Sequence, residues 1–258
     1  MSIAADAEST YLIGRIESTP LDKEPFDHIE LTSVFPPELY SELLANLPKT
    51  QDYREFYHHD AMMADGHSAR HRMFLYPEII PFLPREQRAF WKKLSRALRS
   101  KEVQAAFKRK FRAALEGRFG KSIDQLDFYL KPILVRDLEG YQIAIHPDAP
   151  RKAITVQFYL PRDMSQVNLG THFHYGPEGA DAARVRAMQF APSTGYAFPV
   201  LPDSWHSVPP TPGTSGERNS LMMTYYLKDS MKVRLRFLRD RISEFWAYLT
   251  NRPTSNAD

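Results

Sequence analysis

Downstream of Ser122 the chain divides into apolar, β-branched runs of strand length, separated by turn-forming residues. The runs are 128–135, 141–146, 153–160, 184–190, 195–200 and 220–227. Several short strands at such intervals predict a β-sandwich or barrel and argue against alternating βαβ units. Nothing upstream shares this texture. Only 26–31 reads as a strand there, and the remaining apolar residues recur at helical spacing.

Three helices are expected in that first half. Pro36 and Pro37 open one with Leu39, Leu43, Leu44 and Leu47 on a stripe, and Pro48 closes it. Proline suits a first turn because its missing N–H would be unpaired anyway. Phe90, Trp91, Leu94 and Leu98 mark a second. Val103, Phe107, Phe111 and Leu115 mark a third, ended by Gly117 and Gly120. Residues 1–24 are polar and mixed, and are expected at the periphery. At the other end Leu238, Ile242, Phe245, Trp246 and Leu249 form a helical stripe. The alternation of Val233, Leu235 and Phe237 just before it also fits a strand.

The expected class is therefore α+β, mainly β. A jelly-roll core over 123–228 carries an N-terminal helical layer and loop (1–122) on one sheet, with a C-terminal helix and tail (229–258). All 258 residues form one domain, with no internal repeat.

The segment 51–72 reads as irregular. It holds His58, His59, His67 and His71, with turn residues Asp60, Asp65 and Gly66. A long loop in a compact domain is often a lid or binding loop. The histidine spacing fits no metal motif, so substrate contact or simple exposure is expected. The stretch 84–121 is strongly basic although the net charge is only +3. Such a face attracts anions, but solvated amphipathic helices account for it first. No basic and apolar leader opens the chain and no run approaches a membrane span, which leads to a cytoplasmic expectation without membrane association.

Cysteine is absent, so any metal must be held by nitrogen and oxygen ligands. The stretch IAIHPDAPRK offers such ligands. His146 and Asp148 straddle Pro147 at the end of an apolar strand, and residues two apart on a strand face one side. Pro147 also biases His146 to an extended backbone. His206, in LPDSWHSVPP, stands at another strand-to-turn junction. Two histidines and a carboxylate match the facial triad of non-haem Fe(II) oxygenases. Twelve residues later Arg218 and Ser220 share strand parity. A guanidinium inside a β core needs an anion and binds carboxylate bidentately.

The ordered set His146-Pro147-Asp148, Ser204-Trp205-His206-Ser207-Val208 and Arg218-Asn219-Ser220 resembles the Fe(II)/2-oxoglutarate-dependent dioxygenases. AITVQFYLP, NLGTHFHYG and FAPSTGYAFP resemble strands of prolyl-hydroxylase-like bacterial members, over roughly 125–228. PFDHIELTSVFPPELYSELLANLP is similar to their helical lead-in. The resemblance implies a double-stranded β-helix with Fe(II) held by His146, Asp148 and His206. It implies 2-oxoglutarate as cosubstrate, its distal carboxylate on Arg218 and Ser220, and O₂ as oxidant. Tyr159 or Gln157 is expected to add a hydrogen bond, and the sequence does not choose between them. The implied activity is hydroxylation of an unactivated C–H, with succinate and CO₂ as coproducts. The carboxylate at 148 favours hydroxylation over halogenation, for which related enzymes carry a small residue there.

The expected substrate is a small metabolite or free amino acid, with a peptidyl or protein residue as the alternative. A nucleic acid is disfavoured because no aromatic platform accompanies the basic helices. Two further readings stay open. His172 and His174, with His206, would make a three-histidine site of cupin type, at the cost of leaving Asp148 and Arg218 without partners. A binding module that kept the fold without turnover is the other. Otherwise His172, His174, Trp205 and Tyr141 are candidates for the substrate pocket.

Overall fold

In the computed structural model, residues 6–58, 61–213 and 216–255 are described. The chain begins with helix α1 (Ala7–Ser18), whose first turn is capped by the Asp6 carboxylate accepting from the Ser9 amide. The sequence pattern predicts a peripheral segment here. It is instead a packed helix that buries Leu12 and Ile16 against the helices described next. Strand β1 (Ile29–Leu31) and helix α2 (Pro37–Ala45) follow as expected.

The segment read as irregular contains strands β2 (Arg54–Tyr57) and β3 (Arg70–Phe74). Helices α3 (Arg85–Leu98), α4 (Lys101–Lys110) and α5 (Arg112–Phe119) then form the basic layer. The single helix expected from Val103 to Leu115 is two, broken at buried Phe111, where φ is −105° and ψ 21°. Gly120 ends α5 at φ 62°, a left-handed position that glycine adopts without a Cβ penalty.

The remaining strands are β4 (Phe128–Asp137), β5 (Ile143–His146), β6 (Lys152–Tyr159) and β7 (His172–His174). After the short helix α6 (Gly179–Ala183) come β8 (Val185–Ala187), β9 (Gly195–Pro199), β10 (His206–Val208) and β11 (Arg218–Leu227). Helix α7 (Met231–Thr250) and strand β12 (Thr254–Ser255) close the chain. The major sheet runs β1-β9-β6-β11-β4-β3-β2-β12 and the minor sheet β5-β10-β7-β8. Among the described strands every pairing is antiparallel except β12 on β2. The two sheets form a double-stranded β-helix. The first half of the chain thus contributes two strands, β2 and β3, beyond the one expected at 26–31.

Strand parity separates two environments. Leu221, Met223 and Tyr225 of β11 and Ile154, Val156 and Phe158 of β6 join the core beneath the helices. Their alternates therefore face the space between the sheets. On β11 these are Arg218, Ser220, Met222 and Thr224; on β6 they are Thr155, Gln157 and Tyr159. Register places Ser220 opposite Tyr159, Met222 opposite Gln157 and Thr224 opposite Thr155.

Helix α7 begins at Ser230, whose hydroxyl accepts from the Val233 amide, so the alternation from Val233 to Phe237 is helical. Its inner face does not follow the apolar stripe. That face carries Phe237 on Tyr129, Phe245 on Phe82, and the ion pairs Glu244–Arg72, Asp240–Lys131 and Arg241–Glu78. Leu238, Ile242, Trp246 and Leu249 consequently point outward, each at least half exposed, in line with Met231 and Leu235. No helix among the described residues is long and apolar enough to cross a membrane.

Candidate metal centre and adjoining cavity

His146 ends β5 and His206 begins β10, and the two are register partners across the minor sheet. Their ring centroids are 4.4 Å apart. Asp148 lies just beyond, buried, with its carboxylate accepting from the Lys152 ammonium and the Thr155 hydroxyl. One potential ligand atom from each of His146, Asp148 and His206 lies within 4.8 Å of the others. Among the described residues no other group of three potential ligands converges in this way.

Local hydrogen bonds decide which ring atoms are available. His146 Nδ1 is 2.9 Å from the Ala144 carbonyl oxygen, and His206 Nδ1 is 3.0 Å from that of Ser204. A carbonyl only accepts, so Nδ1 carries the proton and Nε2 keeps its lone pair. Burial pushes the His206 imidazole down to about 4, against the opposing pull of Asp148, so the ring is neutral at physiological pH. Burial alone would raise the Asp148 carboxyl. The Lys152 ammonium, with the hydrogen bonds from Lys152 and Thr155, outweighs it and holds the group well below the ordinary carboxylate range. A neutral imidazole at His206 and an ionised carboxylate at Asp148 are the forms in which these groups bind a divalent metal.

The loop from Asp148 to β6 is held from outside. Arg118 on α5 donates to the carbonyl oxygens of Lys152 (2.7 Å), Pro150 and Val200. This ties the loop that carries Asp148 to the end of β9. One residue of the basic stretch therefore braces the site.

Arg218 is fully buried. Its Nη1 donates to Asp137 at 2.6 Å and its Nε to the Leu169 carbonyl at 2.8 Å. Its Nη2 is buried with no hydrogen-bond partner. Asp137 also receives Arg70, through Nε at 2.6 Å and Nη2 at 3.1 Å, so two guanidiniums share one carboxylate. Both candidates left open by the sequence face the interior. Gln157 donates to Ser220 Oγ at 2.9 Å and accepts from Tyr196 at 2.6 Å. Tyr196 meets the Thr171 hydroxyl at 3.1 Å, and the Tyr159 hydroxyl accepts from the Thr171 amide at 2.9 Å. A continuous polar chain thus crosses the β-helix interior from Ser220 to Tyr159. The Arg218 Nη2 is thus a buried donor without an acceptor, which is costly to leave unmatched.

A cavity of about 530 Å³ opens on the other side of the metal candidates, lined by His146, Asp148 and Tyr141 at one end and by α7 at the other. The pocket candidates separate here. Tyr141 is buried in the cavity wall, with the Arg70 guanidinium stacked 4.0 Å from its ring centroid. His172, His174 and Trp205 do not line the cavity. His174 uses both ring nitrogens structurally, Nδ1 at 2.6 Å from the Ala182 carbonyl and Nε2 at 2.8 Å from Ser207 Oγ. That leaves no ring nitrogen for a three-histidine site. His172 is half-buried on β7 and its ring is 6.4 Å from that of His174. Among the loop histidines, His58 lines the cavity, His67 lies exposed beside Glu55, and His71 is half-buried on β3. His59 and Asp60 lie outside the described residues.

Several residues of the site carry no local signal in the sequence. Lys152 and Thr155 meet Asp148 from four and seven positions downstream, on the next strand. Asp137 does leave a trace, as an acidic residue ending an apolar run, FYLKPILVRD. Arg70 leaves none, because its strand shows no apolar alternation.

No protein-family model matches the chain, and no curated protein matches it. Solved structures do. A prolyl hydroxylase from Trichoplax adhaerens, in complex with a hypoxia-inducible-factor oxygen-degradation-domain peptide fragment, superposes with a TM-score of 0.51. The match covers 84% of this chain and 88% of that one, at 14% identity. A prolyl-4-hydroxylase from Pseudomonas putida superposes with a TM-score of 0.50, covering 86% of this chain and 100% of that one, at 13% identity. At such identities the likeness establishes a common fold, the double-stranded β-helix of the 2-oxoglutarate/Fe(II) oxygenases.

Proposed function

We propose that the chain is an Fe(II)- and 2-oxoglutarate-dependent dioxygenase that hydroxylates an unactivated C–H of a small metabolite or free amino acid. The observation that carries this reading is the convergence of His146, Asp148 and His206 where the two sheets meet. The donor set fits the metal: two imidazoles with Nε2 left over, one ionised carboxylate and no thiolate. The orphan Nη2 of Arg218 fits the distal carboxylate of the cosubstrate.

When bound, iron and 2-oxoglutarate supply the O₂ activation and the two-electron oxidation, with succinate and CO₂ as coproducts. The chain supplies position and enclosure. The carbonyls of Ala144 and Ser204 hold the two rings in one tautomer. Thr155 and Lys152 orient the Asp148 carboxylate. Asp137 and the Leu169 carbonyl fix the Arg218 guanidinium so that its remaining nitrogen faces the anion without reorganisation. Ser220, Gln157, Tyr196 and Tyr159 line the same space as a preorganised hydrogen-bonding wall. Burial pushes the Tyr159 phenol up, so it stays neutral and hydrogen-bonding. The α7 roof limits water around the reacting carbon.

A second reading has one observation in its favour: a structure of the same fold holds a peptide. Oxidation of a peptidyl residue is therefore the alternative substrate class. The test is succinate release on aerobic incubation with Fe(II) and 2-oxoglutarate against metabolite and peptide panels. Release that depends on Fe(II) and disappears in Asp148→Ala is expected. A wild-type protein that binds 2-oxoglutarate yet releases no succinate with either panel, above buffer controls, is instead a non-catalytic binding module.

A further inference from the structure

Six large apolar side chains on α7 face outward: Met231, Leu235, Leu238, Ile242, Trp246 and Leu249. Each is between 50% and 66% exposed. Their spacing of three and four sets them on one stripe along the helix. At ~100° and ~1.5 Å per residue the stripe is roughly 80° wide and about 27 Å long. A single exposed leucine is ordinary, but a contiguous apolar patch marks a surface that meets something.

The stripe cannot turn inward. The opposite face of α7 is held by Asp240 on Lys131, Arg241 on Glu78 and Glu244 on Arg72, and by Phe237 against Tyr129 at 4.0 Å between ring centroids. Rolling the helix would break these ion pairs. The same arrangement sorts the charges. Both acids of α7, Asp240 and Glu244, are turned onto the body of the protein. The charged residues left exposed along the helix are Lys232, Arg234, Arg236 and Arg239, all basic. Asp229 precedes the helix and Arg252 follows it, both exposed.

We propose that α7 docks the protein on an anionic phospholipid surface, lying in the plane of the interface. The apolar stripe carries the proposal, and the basic flanks choose the occupant. An interfacial helix buries an apolar face at the boundary between headgroups and acyl chains, with Lys and Arg along its polar flank. The stems of Lys232, Arg234 and Arg236 extend along that boundary while their charged ends meet lipid phosphates. Trp246 has the amphipathic ring that favours this depth. A second copy fits less well, because a two-fold pairing sets the same basic flanks against each other. The sequence led to an expectation without membrane association, from the lack of a leader and of a membrane-length run. A helix that lies on the surface needs neither. This inference is independent of the metal centre.

The test uses the full chain with vesicles of phosphatidylcholine alone, and of phosphatidylcholine with about one third phosphatidylserine. Co-sedimentation measures binding, and tryptophan emission reports where it occurs. The mixed vesicles should bind about tenfold or more tightly than the neutral ones, and less so as salt is raised. Emission should move to shorter wavelength, and the shift should vanish in Trp246→Phe at vesicle concentrations that still bind it. Leu238→Ser combined with Ile242→Ser should weaken binding about tenfold or more. Circular dichroism should stay unchanged in that variant, since both side chains are already half exposed. Lys232→Gln with Arg234→Gln and Arg236→Gln should remove the preference for the mixed vesicles. No binding to the mixed vesicles overturns the proposal, as does equal binding to both kinds or binding that the serine pair leaves unchanged. Analytical ultracentrifugation of the chain alone supplies the competing outcome. A dimer that the serine pair dissociates assigns this face to a second copy and overturns the lipid surface; a monomer in both supports it.

Discussion

Arg218 is buried with a carboxylate on one guanidinium nitrogen and nothing on another. Asp137 already serves Arg70, so removing the Arg218 side chain leaves no stranded carboxylate. Arg218→Ala should therefore fold, and should weaken 2-oxoglutarate about 10- to 100-fold while leaving iron affinity nearly unchanged, from the ~1.5–3 kcal/mol of a charged hydrogen bond. Calorimetric titration of each ligand checks the split; equal losses for both would count against the assigned role. The residues in this argument were unequally legible. His146, Asp148, His206 and Arg218 stand out in the sequence because polar side chains interrupt apolar strands at their ends. Asp137 meets Arg218 and Arg70 across strand pairings, and Lys152 and Thr155 reach back to Asp148 from the following strand; no local pattern announces either partnership. His172 and His174 show the opposite error: two histidines on one strand look like ligands, yet those of His174 go to a carbonyl and a serine hydroxyl.

Helix α7 turns its charged face inward and its apolar face outward. Its two faces should respond oppositely to substitution. Glu244→Ala leaves the buried Arg72 without its carboxylate and should cost about 3–5 kcal/mol. Leu238→Ser, at 54% exposure, should stay within about 0.5 kcal/mol. Chemical denaturation of both variants measures the contrast. Arg118→Ala removes three donations that brace the Asp148 loop, and should lower iron affinity about tenfold with the secondary structure intact. Metal titration monitored beside circular dichroism checks it. Gly170 is a harder constraint: a Cβ there would meet the Met188 carbonyl oxygen at 1.6 Å, so Gly170→Ala should displace the chain entering β7 and lower the melting temperature. Element types were legible where one face is apolar, as in α2, α3 and the strands from β4 onward. Strand β3 was hidden because Arg70 and Arg72 occupy the face that lines the cavity, which erases the alternation that marks a half-buried strand. The break between α4 and α5 was hidden because Phe111 keeps the four-residue apolar spacing through it.

The whole molecule assigns its two surfaces of β11 and β6 to different tasks. One face packs under the helices and supplies the core. The other carries Arg218, Ser220, Gln157 and Tyr159 into the interior, beside a metal candidate built from the minor sheet. The jelly-roll was legible because strand-length runs dominate residues 128–227. The share of the first half in the major sheet was not, since β1, β2 and β3 are short and join β9, β12 and β4, far along the chain. The central claim is that His146, Asp148 and His206 hold one Fe(II), on which 2-oxoglutarate chelates. Anaerobic titration with both should produce a weak visible charge-transfer band in the wild type. The band should be absent in His146→Ala and in Asp148→Ala at the same concentrations, with far-ultraviolet circular dichroism unchanged. A band of undiminished intensity in either variant would contradict the account.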